Sequence, residues 1–245
     1  MTLPEELNIK GYLLKDKFLS QAECEDLLNL IDNYRQQFAI PKIYRDVKPI
    51  PLSYSVIDGE KIKSHLTEVQ NLYETCNEFV NNIMGKELFP LQNIQVGCNV
   101  NITNKGGAYR WHYDRNAVTA ILYLNEVDGG EIECYPNYRI ILNKARFSRF
   151  QSFLDRILQI SFVRNIFGKG IAIKPKPGLL LVMCGNKCLH SVRPVSSEND
   201  NDRINIVMAY DMPGASFTIE KQLNTYLYSS ENIQVLDPNY DHDRS

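Results

Sequence analysis

The stretch Tyr109-Arg110-Trp111-His112-Tyr113-Asp114-Arg115-Asn116 decides how the rest of this chain is read. Its centre is His112-Tyr113-Asp114. Side chains alternate along extended backbone, so an imidazole and a carboxylate two residues apart project to one side. One neutral nitrogen and one anionic oxygen converging on a point are two ligands of the facial set that binds non-haem Fe(II). With 29 acids and four histidines in 245 residues, chance alone supplies about half of one His-x-acid pair, so the surroundings must carry the reading.

Those surroundings are paired strands. Ala117-Val-Thr-Ala-Ile-Leu-Tyr-Leu124 is β-branched and apolar, as a buried strand requires. Asp128-Gly129-Gly130 carries hairpin-turn chemistry, and Glu131-Ile-Glu-Cys-Tyr135 is the return strand. A second block opens at Lys174-Pro-Lys-Pro-Gly178, continues as Leu179-Leu-Leu-Val-Met183, turns at Gly185-Asn186 and arrives at Leu189-His190. After the polar stretch Ser196 to Asp202 comes Arg203-Ile-Asn-Ile-Val-Met-Ala-Tyr210. His190 thus offers a third ligand on a late strand, and Arg203 a fixed cation on the next. A surface His–Asp contact and a satisfied core histidine are the alternatives; the order and strand context of all three residues favour a metal.

Working outward, strands are expected near Ile94 to Ile102, Tyr109 to Tyr113, Val118 to Leu124, Glu131 to Tyr135, Ile171 to Lys174, Leu179 to Met183, Leu189 to Val192 and Ile204 to Ala209. Short strands with turns between them suit a jelly roll of two sheets. Ser20-Gln-Ala-Glu23 is a capping box that opens an amphipathic helix running to about Phe38. Ile40 to Asp58 is broken by Pro41, Pro49 and Pro51 and reads as a loop with short extended pieces. A second helix is expected from Ile62 to Met84, with Gly85 as its stop.

Composition bounds the answer. At 44% hydrophobic residues the chain can bury one sizeable core. The formal net charge of −2 gives no field that would attract nucleic acid or an anionic membrane globally. No run has the length of a membrane span, and Met1-Thr-Leu-Pro-Glu-Glu6 lacks the order of a signal peptide. The six scattered cysteines read as reduced, so a cytoplasmic location is expected. Cys184 and Cys188 read as strand-end packing, not as a zinc site. From about Asn137 to Gly170 the charge is uneven: Arg139, Lys144, Arg146, Arg149, Arg156, Arg164 and Lys169 stand against Asp155 alone. Phe147, Phe150, Phe153, Leu154, Ile157, Leu158, Phe162, Ile166 and Phe167 predict one or two helices packed on the core edge. Two readings remain open for this insertion: a solvated basic face, or a lid or docking surface for an anionic substrate, carrier or lipid.

Five pieces in order carry a family resemblance: Gly106-Gly-x-Tyr-x-x-His-x-Asp114, Leu122-Tyr-Leu-Asn125, Gly129-Gly-Glu131, the Pro175 to Gly178 approach to the late strands, and His190-x-Val-x-Pro-Val195. They resemble the iron(II)/2-oxoglutarate-dependent oxygenases, within them the prolyl 4-hydroxylase-like group. Phe18-Leu-Ser-Gln-Ala-Glu-Cys24 resembles the start of that group's leading helix, and the resemblance covers most of residues 10 to 212. It implies a mostly β fold with flanking helices: a double-stranded β-helix (jelly-roll) core buttressed by N-terminal helices. One oxygenase domain is expected over 1–245, with helical support in 1–92, the core in 93–212 carrying the basic insertion 137–170, and a tail in 213–245.

The resemblance further implies Fe(II) held by His112, Asp114 and His190, with 2-oxoglutarate and O2 as co-substrates. Arg203 is the expected clamp for the distal carboxylate of 2-oxoglutarate, because a guanidinium offers two parallel donors and stays charged. Its spacing from His190 is a little long for the family, and Lys187 and Arg193 are rivals. Tyr123 matches the family's carboxylate-binding tyrosine, with core packing as the alternative, and Thr119 shares its strand face. Asn205 stands where relatives often have serine. Arg115, Tyr109 and Trp111 are candidate substrate contacts, with a rim position as the alternative for each.

The expected reaction is hydroxylation of an unactivated C–H bond of a small-molecule or carrier-bound metabolite in biosynthesis, with succinate and CO2 as co-products. The related halogenases lack the carboxylate that Asp114 supplies, so its presence favours hydroxylation. Prolyl 4-hydroxylation of a protein or peptide is the alternative within the family. A catalytically inactive jelly-roll binding module is the alternative from another class, and it would be expected to have lost a ligand or the clamp. A nucleic-acid demethylase has only the basic insertion in its favour, so no nucleic-acid partner is expected.

Overall fold

The computed structural model describes residues 3–45, 52–141, 149–196 and 201–214. Its first half is helices α1 (Leu3–Lys10), α2 (Gln21–Gln37), α3 (Gly59–His65), α4 (Thr67–Met84) and α5 (Ile94–Gly97) with strands β1 (Tyr12–Lys15), β2 (Lys42–Arg45), β3 (Leu52–Ile57) and β4 (Phe89–Pro90). Strands β5 (Cys98–Thr103), β6 (Tyr109–His112), β7 (Val118–Tyr123) and β8 (Ile132–Tyr135) follow. Next come helices α6 (Arg149–Gln159) and α7 (Ser161–Phe167), then β9 (Ile171–Ile173), β10 (Leu180–Met183), β11 (Leu189–Val192) and β12 (Arg203–Asp211).

The expected capping box is present at the start of α2. The Ser20 side chain accepts from the Glu23 N–H at 3.2 Å, and Glu23 accepts from the Ser20 N–H at 2.7 Å. A cap of this kind stabilises a helix by about 1 kcal/mol. The helix expected from Ile62 to Met84 is instead two. Asp58 caps α3 through the Lys61 N–H at 3.0 Å, and Leu66 leaves helical geometry (φ −129°, ψ 63°) to bury its side chain. The apolar period runs through this break, which is why the pattern does not reveal it. His65, at the break, lies against the rings of Phe38 and Tyr34. Gly85, in the left-handed region at φ 60°, ends α4 as expected.

Eight strands form one antiparallel sheet in the order β1-β10-β7-β12-β5-β3-β2, with β4 added to β12; four form a second in the order β6-β11-β8-β9. Alternation in β7 shows how the layers are built. Val118, Ala120 and Leu122 pack outward in a core shared with Val69, Tyr73, Cys76 and Val80 of α4. Ile121 and Tyr123 point inward with Leu181 and Met183 of β10, against Ile132 and Cys134 of β8. Two sheets with apolar inner faces and helices on one outer face are the jelly roll with helical buttress that the sequence implied.

Three differences bear on the sequence reading. β1, β2 and β3 were not separable from loop by local pattern; each is fixed by pairing, β1 with β10, and β2 with β3 and then β5. The strand expected from Ile94 begins only at Cys98, because Val96 packs with Leu91 and Ala209, and Gly97 sits against the Tyr73 hydroxyl at the sheet's end. The insertion forms two helices, but Phe150, Phe153, Phe162, Ile166 and Phe167 are exposed and not packed on the core. Of its apolar residues α6 buries only Leu158, and beside it two polar side chains, Gln151 and Asp155. Asp155 takes a bidentate pair from Arg139 at 3.0 and 2.5 Å, and Gln151 donates to the Ile140 carbonyl at 3.0 Å. Phe147, Lys144 and Arg146 lie outside the described residues, as does the tail beyond 214. The six cysteines are free thiols. Among the described residues no helix is long and apolar enough to cross a membrane.

Candidate metal centre

His112 closes β6 and His190 lies on β11; the two are register partners across an antiparallel pair. Their rings face each other with centroids 4.1 Å apart. The His112 Nδ1 lies 2.7 Å from the Arg110 carbonyl, and the His190 Nδ1 lies 3.1 Å from the Cys188 carbonyl. A carbonyl only accepts, so each neutral ring carries its proton on Nδ1 and turns a bare Nε2 inward.

Asp114 is set differently from the sequence expectation. β6 stops at Tyr113's doorstep, and Asp114 stands in the following loop. Its N–H donates to the Gly185 carbonyl at 3.2 Å. Its Oδ2 accepts from Thr119 Oγ1 at 2.5 Å, and Thr119 in turn accepts from Asn116 at 2.9 Å. That relay leaves Oδ1 facing both imidazoles, 3.6 Å from His112 Nε2 and 3.5 Å from His190 Nε2. Ligand atoms of the three residues lie within 4.8 Å of one another, the sole such cluster among the described residues.

Electrostatics fit a cation at this point. Burial holds the His112 ring below its ordinary pKa, and the neighbouring His190 adds to that. Burial works the same way on His190, but the Asp114 carboxylate and the Cys188 contacts together outweigh it and hold that ring above its ordinary value. Two inward nitrogens and a carboxylate oxygen therefore share at most a proton, where a divalent ion would satisfy all three. Gly185 is required at this point. A Cβ there would come within 2.6 Å of Thr119 Oγ1 and 2.9 Å of Asp114 Cβ. No spacing rule exposes it, since Gly185-Asn186 reads only as a turn.

The wall opposite carries the carboxylate-binding candidates. Asn205 pairs with Tyr123 across β12 and β7, so Arg203, Asn205, Tyr123 and Thr119 share the inner face. Arg203 is 2% exposed, and its guanidinium lies 5.2 Å over the Tyr123 ring and donates to Asn205 Oδ1. The rivals are elsewhere: Arg193 pairs with Glu133 at 2.6 Å on the surface, and Lys187 is exposed. Arg203 Nε and the Tyr123 hydroxyl are buried with no hydrogen-bond partner among the described residues. Burial pushes the Tyr123 phenol up to about 12, with Arg203 opposing, so it stays a donor. Unmet donors in a dry wall are costly alone and suit an incoming carboxylate. Gly130 allows this wall to form: its φ of 65° suits glycine, and a Cβ would sit 2.8 Å from Arg203 Cδ.

The substrate candidates separate. Tyr109 turns inward, stacks on Tyr54 at 4.8 Å and donates to Asn101, which donates to Asn99. Asn101 and Asn99 belong to β5 and were not singled out by the sequence, because isolated asparagines in a strand carry no spacing signal. Trp111 turns to the other side, 4.1 Å beneath the Arg164 guanidinium of α7. Arg115 is not at a rim; it is 6% exposed.

No curated protein matches the chain. Among solved structures, the non-haem α-ketoglutarate-dependent carbocyclase SnoK of nogalamycin biosynthesis superposes with a TM-score of 0.65 at 12% identity, over 85% of this chain and 82% of that one. A prolyl-4-hydroxylase from Pseudomonas putida gives 0.54 at 16% identity, over 86% of this chain and 98% of that one. HygX from Streptomyces hygroscopicus, solved with nickel and 2-oxoglutarate bound, gives 0.57 at 13%, over 86% of each chain. These likenesses are of fold. Residues 98–210, from the first residue of β5 into β12, match the model of the 2OG-Fe(II) oxygenase superfamily. Two sheets, a His-Asp-His cluster between them and a family match from β5 into β12 lead to one conclusion: residues 98–210 match the 2OG-Fe(II) oxygenase superfamily, and with the triad they carry the features of a 2-oxoglutarate-dependent dioxygenase that uses Fe(II), 2-oxoglutarate and O2.

Proposed function

We propose that the protein hydroxylates an unactivated C–H bond of a small-molecule or carrier-bound metabolite, releasing succinate and CO2. The observation that carries it is the pairing of two half-sites: the inward ligand atoms of His112, Asp114 and His190, and the buried, unmet donors of Arg203 and Tyr123. Bound Fe(II), with 2-oxoglutarate and dioxygen, supplies the oxidant. This chain's residues do the positioning. His112 and His190 present Nε2 because their Nδ1 protons are spent on carbonyls. Thr119, its proton committed to Asp114, acts through that carboxylate. Asn205 steadies the Arg203 fork for the distal carboxylate of 2-oxoglutarate. Arg164 of α7 lies across Trp111 and Tyr135 on the outer face of the small sheet, behind the strands that carry His112 and His190.

The test is spectroscopic. Fe(II) and then 2-oxoglutarate are added anaerobically to metal-free protein. A visible charge-transfer band is expected, absent without iron and weakened in His112→Ala and Arg203→Ala. No band despite bound metal would overturn the reading. A second expectation concerns the relay behind Asp114. Thr119→Val should weaken Fe(II) or Mn(II) binding about 10- to 100-fold, the usual cost of losing an outer-shell partner. Competition against a chromogenic chelator measures it; an unchanged affinity would remove Thr119 from the proposal.

A further inference from the structure

The insertion between β8 and β9 is built inside out. α6 buries Gln151 and Asp155 beside Leu158 and turns Phe150 and Phe153 to solvent, 68% and 61% exposed. On α7, Phe162 and Phe167 are 73% and 75% exposed. Within each helix these positions fall on apolar stripes, Phe150, Phe153, Leu154 and Ile157 on the first, and Phe162 with Ile166 on the second. Leaving such side chains in water costs free energy, and clusters of this kind mark contact surfaces.

Charge narrows the partner. Residues 137–170 hold seven Lys or Arg and one acid, a local net of +6. That acid, Asp155, is buried and spent on Arg139, so no exposed group in the insertion's described part is anionic. Arg156 and Lys169 are exposed beside the aromatic stripes. Side chains this exposed protrude; a protein partner would need pockets cut to fit them, whereas lipid headgroups part around them.

We propose that the outward faces of α6 and α7 seat the protein on an anionic bilayer surface, with Phe150, Phe153, Phe162 and Phe167 inserted among the headgroups and Arg156 and Lys169 against lipid phosphates. This is the chemistry of an interfacial amphipathic helix, lying on a membrane and not spanning it. The seat is rigidly tied to the metal cluster. Arg139, which holds Asp155 of α6, lies 4.8 Å over the Tyr113 ring, between two of the ligands, and Arg164 of α7 caps Trp111. A docked molecule brings its ligand-bearing strand within about one helix diameter, roughly 10 Å, of the lipid.

Vesicle sedimentation of the whole protein tests this without any turnover. The probes are phosphatidylcholine vesicles and the same vesicles doped with phosphatidylglycerol. Partition is expected only onto the doped vesicles, with energy transfer from Trp111, the chain's one tryptophan, to a dansyl lipid. Phe153→Asp with Phe162→Asp should lower partition by about tenfold or more. Phe150→Ser with Phe167→Ser reads the same surface through a second pair. Because all four side chains are exposed, circular dichroism should be unchanged in both. Failure to partition onto doped vesicles, or partition unaffected by both pairs, would overturn the proposal. So would a homodimer in sedimentation velocity that these variants dissociate, since the surface would then meet a second copy of the chain.

Discussion

Asp114→Ala is expected to lower Fe(II) or Mn(II) affinity by about three orders of magnitude and to abolish succinate formation. The carboxylate is the cluster's sole anion. Without it two imidazoles face a dication with no charge to offset it, which costs more than the 10- to 100-fold of a lost outer-shell contact. The loss should be local. Asp114 sits in a loop after β6, and in the metal-free protein its removal frees the Thr119 hydroxyl while leaving both sheets intact. A thermal melt of the metal-free variant close to that of the parent separates lost ligation from lost folding. Chelator competition measures the affinity. If metal binds the variant within tenfold of the parent, the triad assignment is wrong.

Arg203→Ala should raise the KM for 2-oxoglutarate on the order of 100-fold and leave metal affinity unchanged when 2-oxoglutarate is absent. The pair it would form with a carboxylate is fully dry, with Arg203 at 2% exposure, and truncating one partner of a buried charged pair costs about 2–5 kcal/mol. Arg203→Lys should recover only part of the loss, because a lysine lacks the planar fork that Asn205 and Tyr123 hold in place. The two variants are thus distinguishable: Asp114→Ala moves the metal, Arg203→Ala moves the co-substrate. An unchanged KM in Arg203→Ala would return the choice to Lys187 and Arg193.

Much of the candidate site was legible because strands write their faces at period two. The pairing of His112 with Asp114 and the shared face of Thr119 and Tyr123 were found that way, whereas His190, Arg203 and Asn205 came from the order of the late strands and the family resemblance. Spacing could not choose among three cations near His190; the fold sets them apart, with Arg193 paired with Glu133 at the surface and Arg203 enclosed. Asp114 was identified for an incomplete reason. Its direction comes from the Gly185 carbonyl and Thr119, contacts made across the fold, and not from strand alternation. The same distinction explains the missed strands. β1 and β2 are four residues long, too short for local pattern, and exist because a distant edge accepts them. The insertion was misread in the opposite sense. Its phenylalanines looked like core by hydrophobicity, yet α6 is anchored by Asp155 to an arginine sixteen residues upstream, an interaction that composition cannot announce.

The ligand set is divided between the two layers. His112 and His190 belong to the small sheet, whereas Asp114 is held through its carboxylate by Thr119 on β7 and through its backbone N–H by the carbonyl of Gly185 just beyond β10, on the side of the large one. An ion bound there would act as a rivet through both plates. Occupancy at a hundred times the dissociation constant adds about 2.7 kcal/mol to the folded state, and here that increment falls on the seam between the sheets. Iron starvation would therefore do more than silence the enzyme. It would loosen the sandwich along its open edge, so that protease resistance at that seam tracks the metal supply.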